Sequence, residues 1–307
     1  MTLEKSKNQN SPFESPSNIS APTLRQTFNN TQNWTVPDGV YGIWVHLAGG
    51  GSGGNSRVTN NGANGTGGTG GNGTFAYTPV TPGSTVGITI GAGGNGGTIN
   101  AAVAGTTYGN EGGTTFVNTV GASYAAGPGW RTTSVNTTNG YNGWGFTGKL
   151  GGMVRQQILF SPKSLSPRTA YLWGTREGSG FGGMSQEWDY NATAANQLNA
   201  RAGKASTYGG GSGGGAVTNT NTGGNGAAGG TQNLTGYTGG NGATWTSANS
   251  GGGGGGAGIA GNGGTANTSN GGVGGAGGGG GGGGGAANAN TGCTGGAGGA
   301  GAVLIYY

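Results

Sequence analysis

Charged residues are scarce in this sequence: they make up 6% of its 307 residues, against about 25% in an ordinary globular domain. The chain has seven acidic residues and one histidine, His46. Acid–base and nucleophilic catalysis need titratable side chains that work in pairs. The composition therefore disfavours an enzyme, and we expect no catalytic, cofactor-binding or metal-binding residues. We expect His46 to have a structural role.

Cysteine and long apolar runs are also lacking. The one cysteine, Cys293, cannot form an intramolecular disulfide, and a single cysteine with a single histidine cannot build a zinc site. The longest apolar run, 302–307, is far shorter than the ~20 residues that span a membrane. The N-terminus has no apolar stretch typical of a signal peptide. We therefore expect synthesis in a host cytoplasm and no membrane insertion.

The basic residues are spread thinly, although the sequence pI is about 9.4. Nucleic-acid binding needs clustered lysine and arginine, so we expect no nucleic-acid partner. Two acidic residues, Glu187 and Asp189, would share one face if the residues around them form a strand. They raise the alternative of a glycosidase pair. Charge balance against nearby arginines is the simpler interpretation.

Glycine, in contrast, accounts for 84 residues, and nine consecutive glycines run from Gly277 to Gly285. The glycines follow no collagen repeat. Because glycine has no side chain, it allows two backbones to come into direct contact. Polyproline-II helices made of glycine can then bond to one another through their backbones, helped by weak Cα–H···O contacts. We hypothesise a polyglycine-II-like bundle rather than a flexible linker.

Alternating apolar residues predict several strands. After a turn at Pro37–Gly39, the side chains of Ile43, Val45 and Leu47 fall on one face. The pattern over 75–90 predicts a hairpin around Pro82 and Gly83, and 114–120 predicts a further short strand. The final segment, 302–307, must pair with the sheet formed by 34–120, because a lone strand is not stable.

These elements predict an all-β fold: a small antiparallel sheet or sandwich that is closed by its N- and C-terminal strands and carries glycine-rich insertions. We divide the chain into an arm (1–31), a glycine-rich β domain (32–125 and 205–307) and an aromatic, basic inserted subdomain (126–204). The arm is polar and contains prolines. It is either a disordered tail or an extended segment that orders on a partner.

Four segments resemble the glycine-rich domain of bacteriophage tail-fibre and tail-tip adhesin proteins, in the order of that family: 34–40 together with 44–54, then 81–97, 112–116 and 298–307. They resemble the opening, the central hairpin, the next strand and the closing element of that domain. The resemblance implies a virion-attached β domain whose glycine-rich insertions form the exposed surface. In the tail-tip adhesins, loops between polyglycine-II helices meet the bacterial receptor.

The resemblance implies a structural and adhesive virion protein, a tail-fibre or tail-tip component that contacts the host cell. Its expected partners are other virion proteins, through 1–31, and a bacterial surface receptor, either a glycan or an outer-membrane protein. Symmetric assembly, for example a homotrimer, is typical of repeated virion parts. The alternatives are a capsid decoration, spike or adaptor protein without a receptor, and a non-viral wall or ice-binding protein.

The aromatic insertion supplies the residues that we expect to contact a receptor, because rigid rings stack on sugars and fill apolar pockets and arginine binds phosphates. The alternative is that these rings form the insertion's own core or a contact between subunits. The candidates are Trp130, Tyr141, Trp144, Trp173, Trp188 and Arg176.

Overall fold

The fold is all-β. The computed structural model describes these residues: 23–59, 62–65, 67–99, 105–131, 175–177, 202–203, 205–206, 209–211, 213–214, 216–217, 228–244, 252–267, 270–278 and 293–307. These ranges contain no helix, and about one third of their residues lie in strands. The strands are β1 (Leu24–Phe28), β2 (Gln32–Thr35), β3 (Gly42–Ala48), β4 (Ser56–Thr59), β5 (Gly62–Gly65), β6 (Gly73–Pro79), β7 (Thr85–Thr89), β8 (Thr98–Ile99), β9 (Gly105–Thr107), β10 (Thr115–Asn118), β11 (Ser123–Ala126), β12 (Thr175–Glu177), β13 (Ala216–Val217), β14 (Cys293–Thr294) and β15 (Ala302–Tyr306).

Two antiparallel sheets contain most of the longer strands. Sheet A has the order β1-β15-β3-β6-β12, and sheet B has the order β11-β10-β7-β2. Because side chains alternate between the two faces of a strand, each sheet directs one apolar row toward the other. The two rows meet in one buried cluster, which contains Ile43, Val45, Leu47, Val303 and Ile305 from sheet A and Trp34, Val86, Ile88, Val117 and Tyr124 from sheet B.

The last strand lies inside sheet A. It pairs with β3 so that Ile305 lies opposite Val45 and Val303 lies opposite Leu47, which confirms the pairing expected from the sequence. On its other side β15 pairs with β1. Residues 24–28, which fall within the segment interpreted as an extended arm, therefore form part of the sheet.

The prediction of a hairpin over 75–90 is wrong, because its two strands are present but do not pair with each other. β6 pairs with β3 and β12 in sheet A, whereas β7 pairs with β2 and β10 in sheet B. The turn at Gly83, where φ is 76°, carries the chain from one sheet to the other. Val86 and Ile88 then reach the shared core from the opposite side.

Glycine-rich segments continue from one end of these sheets. Six of them are adjacent in sequence to strands of sheet A or sheet B, with at most one residue between segment and strand. They are 49–54, 67–72, 91–97, 109–114, 127–130 and 295–301. They are not strands, yet their backbone N–H groups donate to carbonyl oxygens of neighbouring segments. We call these six segments the glycine segments.

The hydrogen bonds of the segment 49–54 repeat every three residues. Three successive N–H groups donate to three different glycine segments, and the next three repeat the same order, with N···O distances of 2.8–3.0 Å. The acceptors, in order, are the carbonyl oxygens of Asn72, Gly113, Gly299, Thr69, Asn110 and Gly296. A polyproline-II helix has three residues per turn and no internal hydrogen bonds, so this periodicity is that of an extended threefold helix surrounded by neighbours.

Close backbone contact explains why these positions are glycine. A Cβ atom built on Gly50 would overlap the carbonyl oxygen of Ala92, and one built on Gly53 would overlap that of Asn95. The obstruction in both cases is backbone, which has no rotamer to change. Any other residue would therefore force two segments apart.

Candidate contact surface at the loop end of the glycine segments

The glycine segments have two different ends. One end of each segment joins sheet A or sheet B. At the other end, all of the segments except 127–130 join the short strands β4, β5, β8, β9 and β14. We call the end at the short strands the loop end. We call the opposite end of the molecule, where sheets A and B lie farthest from the glycine segments, the strand end. At about 3.1 Å per residue, the six residues of 49–54 span about 19 Å. The short strands pair in the orders β13-β5-β4-β9 and β14-β8, so several of the strands at this end are bonded to one another.

Trp130 lies where the segment 127–130 reaches the surface. Its side chain is 39% exposed. The backbone beneath it is held in place, because Gly129 donates to the Gly50 carbonyl oxygen (2.7 Å) and the Thr69 hydroxyl donates to the Trp130 carbonyl oxygen (2.9 Å). A large aromatic side chain is thus presented to solvent from a fixed backbone.

Arg131 follows Trp130 in the chain, and its side chain contacts Tyr108. The Arg131 guanidinium is 5.6 Å from the centre of the Tyr108 ring, within the range of a cation–π contact. Gly112 donates to the Gly129 carbonyl oxygen (3.1 Å), which joins the segment after Tyr108 to the segment before Arg131. Glu111 precedes Gly112 and Trp130 follows Gly129, and both residues are exposed. We call Tyr108, Glu111, Trp130 and Arg131 the Trp130 cluster.

The other candidate receptor-contact residues are not brought to this cluster by any described contact. Arg176 lies in β12, opposite Thr74 at the edge of sheet A, and its side chain is outside the described part. Tyr141, Trp144, Trp173 and Trp188 lie outside the described residues, as does nearly all of the 126–204 insertion. Their role in receptor contact stays a prediction.

A second group of aromatic side chains covers the outer face of sheet A. Trp44 stacks on Phe75 with 5.3 Å between ring centres and 20° between ring planes, and it also meets Tyr77 at 5.4 Å. Tyr306 meets the edge of Phe75 at 6.2 Å. Tyr77 is 45% exposed, and partial burial raises the pKa of Tyr306. We call Trp44, Phe75, Tyr77 and Tyr306 the aromatic strip.

His46 lies inside the protein next to this strip. Its side chain is fully buried, and its ring meets Phe75 edge-on at 5.8 Å. Within the described ranges, no group of three or more histidine, cysteine or acidic residues could hold a metal ion. The same part of the chain contains no helix long and apolar enough to cross a membrane.

The N-terminal segment enters at the strand end. Leu24 lies opposite Tyr306, and the Tyr307 N–H donates to the Thr23 carbonyl oxygen (3.3 Å). The Arg25 Nε donates to the Tyr307 carbonyl oxygen (3.2 Å), and its guanidinium lies 5.9 Å from the Tyr307 ring centre. The first described residue and the last residue of the chain are therefore fixed beside each other, away from the loop end.

The sequence signals for these features differ in strength. Trp130 was found because it is an aromatic residue in an aromatic-rich stretch. Tyr108 and Glu111 were missed, because they join the cluster only through packing of glycine segments that are not adjacent in sequence. The aromatic strip was also missed as a surface, although the large residues at alternate positions 44 and 46 indicate a covered second face.

No protein-family model matches this chain, and no curated protein matches its sequence.

Proposed function

We propose that the chain is a structural and adhesive virion protein, a bacteriophage tail-fibre or tail-tip component that contacts the host cell surface. One observation carries the proposal: the two ends of the molecule differ. β1 begins at the strand end, next to Tyr306, whereas Trp130 lies along the glycine segments and the paired short strands lie at their loop end. This arrangement suits a protein that is attached at one end and presents a surface at the other.

In this proposal the glycine segments are a polyglycine-II-type bundle. The three-residue period of donors along 49–54 and the backbone contacts at Gly50 and Gly53 support it. The two sheets are a sandwich that β1 and β15 close, as neighbours in sheet A. A bundle held by its own backbone keeps the loops at a fixed distance from the sheets.

Attachment to other virion proteins is assigned to the N-terminal segment that precedes β1. Residues 24–28 belong to sheet A, so the proposed arm is confined to the residues before them. The receptor is a glycan or an outer-membrane protein. No catalytic step is assigned to the chain, and assembly as a homotrimer is part of the same proposal.

The alternative is a capsid decoration, spike or adaptor protein without a receptor. The aromatic strip favours it, because aromatic residues are enriched in protein–protein interfaces and Tyr77 is 45% exposed. In that case the main contact surface lies on sheet A rather than at the loop end.

Immunogold labelling of the virus particles released from cells that make the chain separates the two. Label at the tips of tail fibres or at the tail tip is expected, and label on the capsid supports the alternative. Purified protein should also block adsorption of the same virions to their host. Absence of label from the virions would overturn both.

A further inference from the structure

The Trp130 cluster has the chemistry of a carbohydrate site. Trp130 offers an exposed indole, Arg131 offers N–H donors and Glu111 offers carboxylate acceptors, and all three are exposed. Sugars present apolar C–H faces and hydroxyl groups that both donate and accept hydrogen bonds. Aromatic rings pack against the apolar C–H faces, and the charged pair forms hydrogen bonds with the hydroxyl groups.

The backbone under the cluster is preorganised. Gly109 donates to the Asn55 side-chain oxygen (2.8 Å), Gly112 donates to Gly129 and Thr69 bonds to Trp130. The side chains therefore project from segments whose positions are already fixed. Ligand binding then orders little more than the side chains themselves, which lowers its entropic penalty.

The spacing of the cluster suits an oligosaccharide. Tyr108 and Glu111 are three residues apart, so a threefold extended helix places them on the same side, about 9 Å apart along the segment. The contact of Arg131 with Tyr108 marks one end of this span. A chain of several sugar rings is long enough to span the distance from Tyr108 to Glu111, whereas a single sugar ring is not.

The charges of the cluster select among sugars. Arg131 contributes one positive charge and Glu111 one negative charge, so the two charges balance. The cluster therefore has no excess positive charge to favour phosphate or carboxylate groups. We propose that the Trp130 cluster binds a neutral oligosaccharide, with the sugar face on Trp130 and hydroxyl groups on Glu111 and Arg131. This inference rests on the proposed function, for which it names the receptor class.

The test uses the full chain on an array of neutral oligosaccharides with phosphorylated and carboxylated counterparts of the same size, followed by calorimetric titration of the best probe. We expect binding to neutral probes, and dissociation constants at least tenfold higher for Trp130→Ala and Glu111→Ala. Trp130→Phe should retain most of the affinity, which separates ring stacking from a folding defect. Tyr41→Ala, which removes a 71% exposed ring elsewhere, is the matched control and should change nothing.

Three results would overturn the inference: no binding to any neutral probe, binding to anionic probes alone, or neutral binding that Trp130→Ala leaves intact. They can be told apart from failure of the proposed function. If wild-type protein and Trp130→Ala block adsorption equally well, the virion role stands and this site does not. If virions carry no label but the protein binds neutral sugars through Trp130, the site stands without the virion role.

Discussion

Ile305 lies directly opposite Val45 in sheet A, although the two residues belong to opposite ends of the sequence. Both side chains are fully buried in the core shared by the two sheets. The order of sheet A places β15 between β1 and β3. The N-terminal strand therefore has no partner in the described sheet until the C-terminal strand is present.

This arrangement predicts that the terminal strand is needed for stability. Ile305→Ala removes a fully buried side chain and should lower the free energy of unfolding by about 2–5 kcal/mol. Urea unfolding followed by tryptophan fluorescence measures it. Val120→Ala, at a side chain that is 90% exposed, should leave the midpoint unchanged, and equal midpoints for the two variants would contradict the packing.

Alanine at glycine contacts tests the backbone packing of the glycine segments. Gly50→Ala and Gly53→Ala place a methyl group on a neighbouring carbonyl oxygen, and the overpacking should lower stability by about 1–3 kcal/mol each. Gly121→Ala is the matched control, because a Cβ there meets nothing within 4 Å. The comparison uses chemical denaturation of all three variants, and loss of stability in the control alone would refute the contacts.

Hydrogen exchange should show slow amide exchange in the glycine segments. The N–H groups of 49–54 all donate to other segments, so exchange there requires the segments to separate. The turn at 38–39 should exchange much faster. Fast, uniform exchange over 49–54 and 295–301, measured by mass spectrometry, would rule out the bundle.

Tyr124 should make stability depend on pH above 10. Burial raises the pKa of Tyr124 above its ordinary value of 10.0, and a hydrogen bond with Thr78 opposes this in part. Well below pH 10.0 the tyrosine is neutral in both the folded and the unfolded chain. At higher pH the unfolded chain loses its proton first, so stability falls as the pH rises toward the folded pKa.

Denaturation of wild type and Tyr124→Phe between pH 8 and pH 11 (about one unit or more on either side of the ordinary pKa) isolates this effect, since the other titrating groups are common to both proteins. The stability of the wild type relative to Tyr124→Phe should be constant well below pH 10 and should fall as the pH rises past 10. A difference that is independent of pH would show that the pKa is not raised. Absorbance at alkaline pH provides a second measure of the same ionisation.

Local sequence patterns predicted individual strands better than their partners. The alternation of Ile43, Val45 and Leu47 correctly predicted β3 and its core face. β1 was missed, because four of its five residues are exposed and give no alternating pattern. The turn at Pro82–Gly83 has the same local chemistry whether it closes a hairpin or joins two sheets, so the sequence alone does not distinguish them.

The candidate site was predictable only in part for a related reason. Trp130 is conspicuous as a large ring in a glycine-rich context. The neighbours of Trp130 depend on which glycine segment packs beside which, and segments without side chains carry no pattern that encodes this choice. The bond between Gly112 and Gly129 is visible only in three dimensions.

The glycine segments recognise one another through N–H and carbonyl groups, which every amino acid shares. Their cohesion is therefore indifferent to the identity of the residues in the connecting loops. Lengthening a surface loop adds only a small entropic penalty, since the closure term grows with the logarithm of its length. Such a protein can accumulate insertions and replacements in its loops over evolutionary time while the framework beneath them is inherited unchanged.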